Sequence, residues 1–147
     1  MIHLVPSSTH VEIEILLRVL LAFLLGALIG LERERHGSPA GIRTYGAICL
    51  GACVFGVVSS AVPGADHARI SAQVVTGIGF LGGGLIVKGD HSVSGLTTAA
   101  TLWATAAVGL AVSLGLYIIS LTTAILIFIL LFLPRLGWWK RISKKNL

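Results

Sequence analysis

Gly77-Ile78-Gly79-Phe80-Leu81-Gly82-Gly83-Gly84 is the stretch on which the reading of this chain turns. It sits inside an apolar run bounded by Arg69 and Lys88. That separation, about 20 residues, makes about 30 Å of α-helix, the thickness of a bilayer's hydrocarbon core. In water each of these glycines would weaken a helix by about 1 kcal/mol relative to alanine. In lipid an unpaired backbone amide has no water to bond, so the helix has less to lose. Glycine there removes side-chain bulk and lets a neighbouring helix approach backbone to backbone. The stretch is therefore expected to form the central helix of a membrane bundle, with the other helices set around its glycine face.

Composition agrees. Of 147 residues, 55% are hydrophobic and 12% charged, against about 25% charged in a soluble domain. Mean hydropathy is +0.94. These values indicate an all-α, polytopic integral membrane protein built as one domain. The formal net charge of +5 is concentrated near the C-terminus. The positive-inside rule accounts for it, and nucleic acid is not an expected partner. Cys49 and Cys53 lie four residues apart on a predicted membrane helix. They read as small packing residues, because a metal or redox pair would need further ligands nearby. The N-terminus opens with His3, His10, Glu12 and Glu14 rather than positive charge, so the first apolar segment is expected to be retained.

Five spans follow in order. Residues 1–12 form a polar tail, 13–134 the transmembrane domain and 135–147 a basic tail. Helix 1 is expected from about Glu14 to Leu31 and carries Gly26 and Gly30 as a close-packing pair. Arg18, one turn inside it, is expected to snorkel to the headgroups. A charged loop runs from Glu32 to Arg43. Helix 2 follows from about Thr44 to Val62, with small residues at Ala47, Gly51, Ala52 and Gly56, and Pro63-Gly64 makes the turn. On helix 3, Arg69, Gln73, Thr76 and Phe80 share one face, expected to point into the bundle. A polar turn, Lys88 to Ser92, leads to helix 4 from about Leu96 to Val112. Its stacked Thr97, Thr101 and Thr105 should bond their own backbone or a neighbour, inside a shell of other helices. Helix 5, about Leu116 to Leu133, is almost all Leu, Ile and Phe and should face lipid. Pro134 ends it, and Trp138-Trp139 would sit at the headgroups.

Arg33, Arg35, Arg43, Lys88, Arg135, Lys140, Arg141, Lys144 and Lys145 all fall on one side of this arrangement, with only Arg18 and Arg69 on the other. The bias puts the C-terminus in the cytoplasm and the N-terminus outside. Gly77-x-Gly79-x-x-Gly82 formally matches a dinucleotide fingerprint. No strand precedes it and no acidic residue lies about 20 positions on, so it is set aside. No catalytic set, metal-ligand cluster or cofactor site is visible. Glu32-Arg33-Glu34-Arg35 reads either as a salt-bridged helix end or, on the side it shares with Arg43, Lys88 and Asp90, as an exposed carboxylate pair open to a cation or a basic partner; Arg69 is a border charge on the other side. Glu32 and Glu34 are expected to pair with Arg43 and fix helices 1 and 2 together.

Four segments carry a family resemblance. They are Gly26-Ala27-Leu28-Ile29-Gly30-Leu31-Glu32-Arg33-Glu34, then Ala40-Gly41-Ile42-Arg43-Thr44, then Arg69 through the glycine stretch to Ile86, then Gly95-Leu96-Thr97-Thr98-Ala99-Ala100 with Trp103. In order and spacing the chain from about Leu16 to Tyr117 resembles the MgtC/SapB family. Gly83 stands where the family usually has alanine. Many members continue into a soluble cytoplasmic ACT-like domain, whereas this sequence stops at Leu147. The resemblance implies a multi-pass protein of the bacterial inner membrane, linked to growth at low magnesium and to survival inside host cells. It implies a regulator that binds the F-type ATP synthase rather than a pump. The residues put forward for partner contact or helix packing are Gly26, Gly30, Gly77, Gly79, Gly82, Gly83, Gly84, Thr97, Thr98 and Trp103. The expected partners are the bilayer, a membrane protein complex and a further copy of the chain. The alternative is a transporter or channel for Mg²⁺ or another ion. Against it, Glu14, Glu32, Glu34, Asp66 and Asp90 all sit at membrane borders, whereas an ion path usually carries charge within the membrane.

Overall fold

The computed structural model describes residues 9–62, 66–90 and 92–135. Pro63-Gly64, His91, Trp138-Trp139 and the basic tail beyond residue 135 lie outside these. The described chain forms α1 (Thr9–Arg35), α2 (Ile42–Ala61), α3 (His67–Gly83), α4 (Leu96–Ser113) and α5 (Tyr117–Phe132). A short antiparallel hairpin, β1 (Val87–Lys88) and β2 (Val93–Ser94), joins α3 to α4 with Val87 opposite Ser94 and Lys88 opposite Val93. A single 3-10 turn, Leu133–Arg135, closes α5 at Pro134.

The fold is all-α apart from this hairpin, as expected of a polytopic membrane protein. Segments at α1, α2, α4 and α5 are long and apolar enough to cross a membrane. α3 has 17 residues, about 26 Å of helix. It enters beside α2 and ends with Gly82 against Ala99, near the start of α4. Outer faces suit lipid: Leu16, Leu20, Leu24 and Leu28 on α1, and Ile118, Ile125 and Ile129 on α5, are all exposed.

Helix ends shift for local reasons. α1 starts at Thr9 and continues through the charged run to Arg35, so only six residues, 36–41, remain as loop. Glu, Arg and Leu are good helix formers, and nothing in Glu32-Arg33-Glu34-Arg35 stops a helix before Gly37. Two glycines do what no other residue does easily. Gly115 turns α4 into α5 with φ of 72°, and Gly95 caps α4 with φ of 82°. Both angles fall in the left-handed region.

The core corrects the sequence reading at its centre. The buried positions come from α1 (Ala22, Leu25, Ile29), α2 (Tyr45, Ile48, Cys49, Ala52, Cys53), α4 (Leu102, Ala106, Val108, Val112) and α5 (Ala124, Ile127, Leu131). From α3, among the described residues, only Ile78 joins them. The central helix is α4, which touches every other helix of the bundle. α3 lies on the periphery, against α2 and α4. The reason is shape. α4 combines small Ala, Thr and Gly with Leu and Val, so it can be surrounded on most sides. α3 has too few side chains to fill a centre.

The polar face of α3 is corrected as well. Arg69, Gln73, Thr76 and Phe80 are exposed, and Phe80 is 85% exposed. The face that packs inward is Val74 and Ile78. Thr76 satisfies its hydroxyl on the Ala72 carbonyl of its own helix at 3.2 Å. With two apolar β-branched residues i and i+4 apart, dispersion selects that side, and the polar residues turn outward.

Candidate functional surfaces: a polar border and an open glycine edge

Two kinds of glycine emerge. At the α1–α2 crossing, a side chain added at Gly26 would stand 2.6 Å from the Cys49 Cβ and from the Tyr45 carbonyl oxygen. One added at Gly30 would stand 2.7 Å from the Gly41 carbonyl oxygen and the Ile42 Cα. Gly56 abuts Ser113, and Gly109 abuts the Cys49 carbonyl, both too closely for any side chain. On α3 the situation reverses. Among the described residues, nothing lies within 4 Å of where a side chain would begin at Gly77, Gly79 or Gly83. Gly82 makes ordinary contact with Ala99 at 3.6 Å, and Gly84 folds back on the Leu81 carbonyl at 3.4 Å.

Between α2 and α3 lies an apolar cleft of about 520 Å³, with Ala47, Gly51, Phe55, Gln73, Gly77 and Leu81 among its walls. Beside α3, the outer face of α4 exposes Thr97, Ala100, Trp103 and Ala107. Trp103 and Thr97 thus face outward, while Thr98 faces the core and is 4% exposed.

At the Glu32 end of the bundle the charges bind three helices together. Glu32 pairs with Arg135, joining the end of α1 to the end of α5. The Arg135 guanidinium also sits 5.2 Å from the centre of the Phe132 ring, a cation–π distance. His36 Nδ1 lies 2.6 Å from the Glu32 carbonyl oxygen and 3.4 Å from its carboxylate. A carbonyl only accepts, so Nδ1 carries the hydrogen. Arg33 Nη2 donates to the Thr98 hydroxyl at 3.3 Å. From there a polar ladder runs inward along α4. The Thr101 hydroxyl lies 2.9 Å from the Thr97 carbonyl and 3.0 Å from that of Thr98. With its proton so placed it accepts from the Tyr45 hydroxyl, 2.6 Å away. Thr105 donates to the Thr101 carbonyl at 2.8 Å. Glu32 Oε2, Arg33 Nε and Ser38 Oγ are buried with no hydrogen-bond partner among the described residues.

The expected pairing of Glu32 and Glu34 with Arg43 is not what the structure has. Glu34 Oε2 instead accepts the Ile42 backbone N–H at 2.9 Å, at the start of α2. This satisfies one of the unpaired amides at that helix end. Arg43 is exposed, with no ion pair among the described residues. Arg35 and Lys88 are exposed too. At the opposite end Arg18 reaches groups at the end of the bundle. It donates to the Ser113 carbonyl at 2.7 Å and the Tyr117 hydroxyl at 3.2 Å, and pairs with Glu14. It thereby bonds a free carbonyl in the last turn of α4.

Sequence reasoning missed Tyr45, Gly109, Ser113, His36 and the Glu32–Arg135 pair. A tyrosine one turn into a membrane helix was the available signal for Tyr45, since its hydroxyl needs a buried partner. Cys49 and Cys53 are free thiols, fully buried among the small residues of α2 and α4.

Residues 19–137 match the MgtC family model. The chain is similar to "Protein MgtC" of Brucella abortus (strain 2308), with 52% identity over 96 residues, 65% of this chain and 40% of that protein. It is also similar to "Protein MgtC" of Salmonella typhimurium (strain 14028s / SGSC 2262), with 46% identity over 113 residues, 76% of this chain and 48% of that protein. The chain thus spans less than half the length of these relatives. No solved structure matches it. With its matched segment running from within α1 through the end of α5, the chain belongs to the MgtC family.

Proposed function

We propose that this chain is a regulatory protein of the bacterial inner membrane, acting by helix–helix contact with another membrane complex. The observation that carries the reading is the open edge of α3, where Gly79 and Gly83 meet nothing within 4 Å among the described residues. A backbone bared in this way suits close approach by a helix from outside, because contact between helices in lipid depends on van der Waals packing. The neighbouring exposed Trp103 extends that surface onto α4. By the charge bias of the sequence, the Glu32 end faces the cytoplasm. The family resemblance supplies the setting: adaptation to low magnesium and survival in host cells, with the F-type ATP synthase as the candidate complex. No chemical step is assigned to any residue.

The test is retention of ATP synthase subunits by the affinity-tagged chain from gently solubilised membranes. Wild type should retain them and Gly79→Leu should not, with both proteins inserted to equal levels. Equal retention, or none by wild type, would overturn the reading. The transport alternative predicts Mg²⁺ flux in proteoliposomes holding this protein alone. A flat trace is expected, and a flux that follows the magnesium gradient would replace regulation by transport.

A further inference from the structure

We propose that two copies of this chain pair in the membrane about a two-fold axis, through the outer face of α3. In this dimer the Gln73 amides bond each other, and Phe80 of each copy meets the α2–α3 cleft of the other. The inference goes beyond the regulatory reading, which uses the Gly79–Gly83 edge next to Phe80 and a different protein as partner. Three observations on one patch carry it.

The first is Gln73. It is exposed at the wall of an apolar cleft and makes no hydrogen bond among the described residues. An amide facing hydrocarbon has no water to bond, so leaving it unpaired is costly. Its carbonyl accepts and its NH₂ donates, so an identical amide facing it satisfies both. The second is Phe80, two turns along the same face and 85% exposed. The third is the cleft of about 520 Å³ that Gln73 lines, where Gly51 and Gly77 carry no side chain and meet nothing within 4 Å among the described residues.

A projecting ring, a cleft and a self-pairing amide on one surface are self-complementary. A two-fold interface requires this, because residue i of one copy meets residue j of the other and the reverse. Copies inserted with the same orientation are related by an axis along the membrane normal. The two α3 helices then run parallel, with residues near the axis facing their counterparts. Arg69 lies at the membrane border, and its long side chain can spread to the headgroups instead of facing its twin.

Purified protein in proteoliposomes tests this with no other complex present. Gln73→Cys should form a disulfide-linked dimer on mild oxidation. Wild type, whose Cys49 and Cys53 are buried, should not, nor should Leu126→Cys on the outer face of α5. Single-molecule photobleaching should find mostly two copies per assembly for wild type and Gln73→Asn. For Gln73→Leu the association constant should fall about tenfold, as expected for loss of interhelical amide bonds. These membranes hold no other complex, so pairing in them is read apart from the regulatory proposal, whose own test is retention of a second complex. Single copies in wild type would overturn the proposal, as would equal cross-linking at Gln73→Cys and Leu126→Cys. So would a photo-crosslinker at position 73, in native membranes, that captures a different protein or lipid alone.

Discussion

The α2–α4 crossing and α3 are both rich in glycine, and they put it to opposite use. At the crossing, Gly56 and Gly109 are places where another helix has already filled the space, with Ser113 and the Cys49 carbonyl pressed against the backbone. On α3, Gly77, Gly79 and Gly83 are places where no other described residue has come. The first arrangement holds a bundle together. The second leaves a surface whose closest contacts must come from outside. A glycine pattern in a membrane segment therefore marks close approach without saying whose.

Substitution at matched positions should break the two regions apart. The largest effect is expected at Gly109→Leu. Its side chain would collide with backbone that cannot step aside, and the cost should exceed about 3 kcal/mol. Unfolding of the detergent-solubilised protein in a denaturant series measures it. Gly79→Leu, in open space, should move stability by no more than about 0.5 kcal/mol while abolishing partner contact. Equal destabilisation by both would erase the distinction between the two regions.

That distinction also marks the limit of what the sequence conveys. The five helices were legible because hydropathy and turn residues locate apolar runs without tertiary knowledge. The enclosure of α4 was legible too, since Ala and Thr leave room on every side. The position of α3 was not. Glycine records a missing side chain but gives no direction, and the expectation that polar residues turn inward failed for Arg69, Gln73, Thr76 and Phe80. Dispersion from Val74 and Ile78 decided the inward face. The charged border failed for another reason. Arg43 is near Glu34 in sequence, and Arg135 is far from Glu32, but the hairpin of α4 and α5 brings Arg135 back. Spacing along a chain does not contain that return.

Smaller effects sharpen the picture at the two ends. Arg18→Met should cost about 1 kcal/mol, because the Ser113 carbonyl in the last turn of α4 loses its charged donor. Tyr45→Phe removes the bond to Thr101 while keeping the ring in place. A loss of about 1 kcal/mol is expected. Both can be read from the same denaturant series, and both test whether the enclosed half of the molecule depends on polar groups as well as on packing.

The smallest effect is expected at Arg43, where the sequence alone argued for a pairing with Glu32 and Glu34. If the guanidinium held α1 to α2, reversing its charge would set Arg43→Glu against Glu32 and Glu34. In the structure Glu34 spends its carboxylate on the Ile42 amide, Glu32 spends its own on Arg135, and Arg43 projects from the first turn of α2. A negative charge in that turn is favoured by the helix dipole, which offsets weak repulsion from the carboxylates nearby. Arg43→Glu should therefore change stability by less than about 0.5 kcal/mol. Glu34→Ala, which strips the Ile42 amide of its acceptor, should cost more, about 1 kcal/mol. If Arg43→Glu proved the more damaging of the two, the start of α2 would be held by charge pairing rather than by the Glu34 cap.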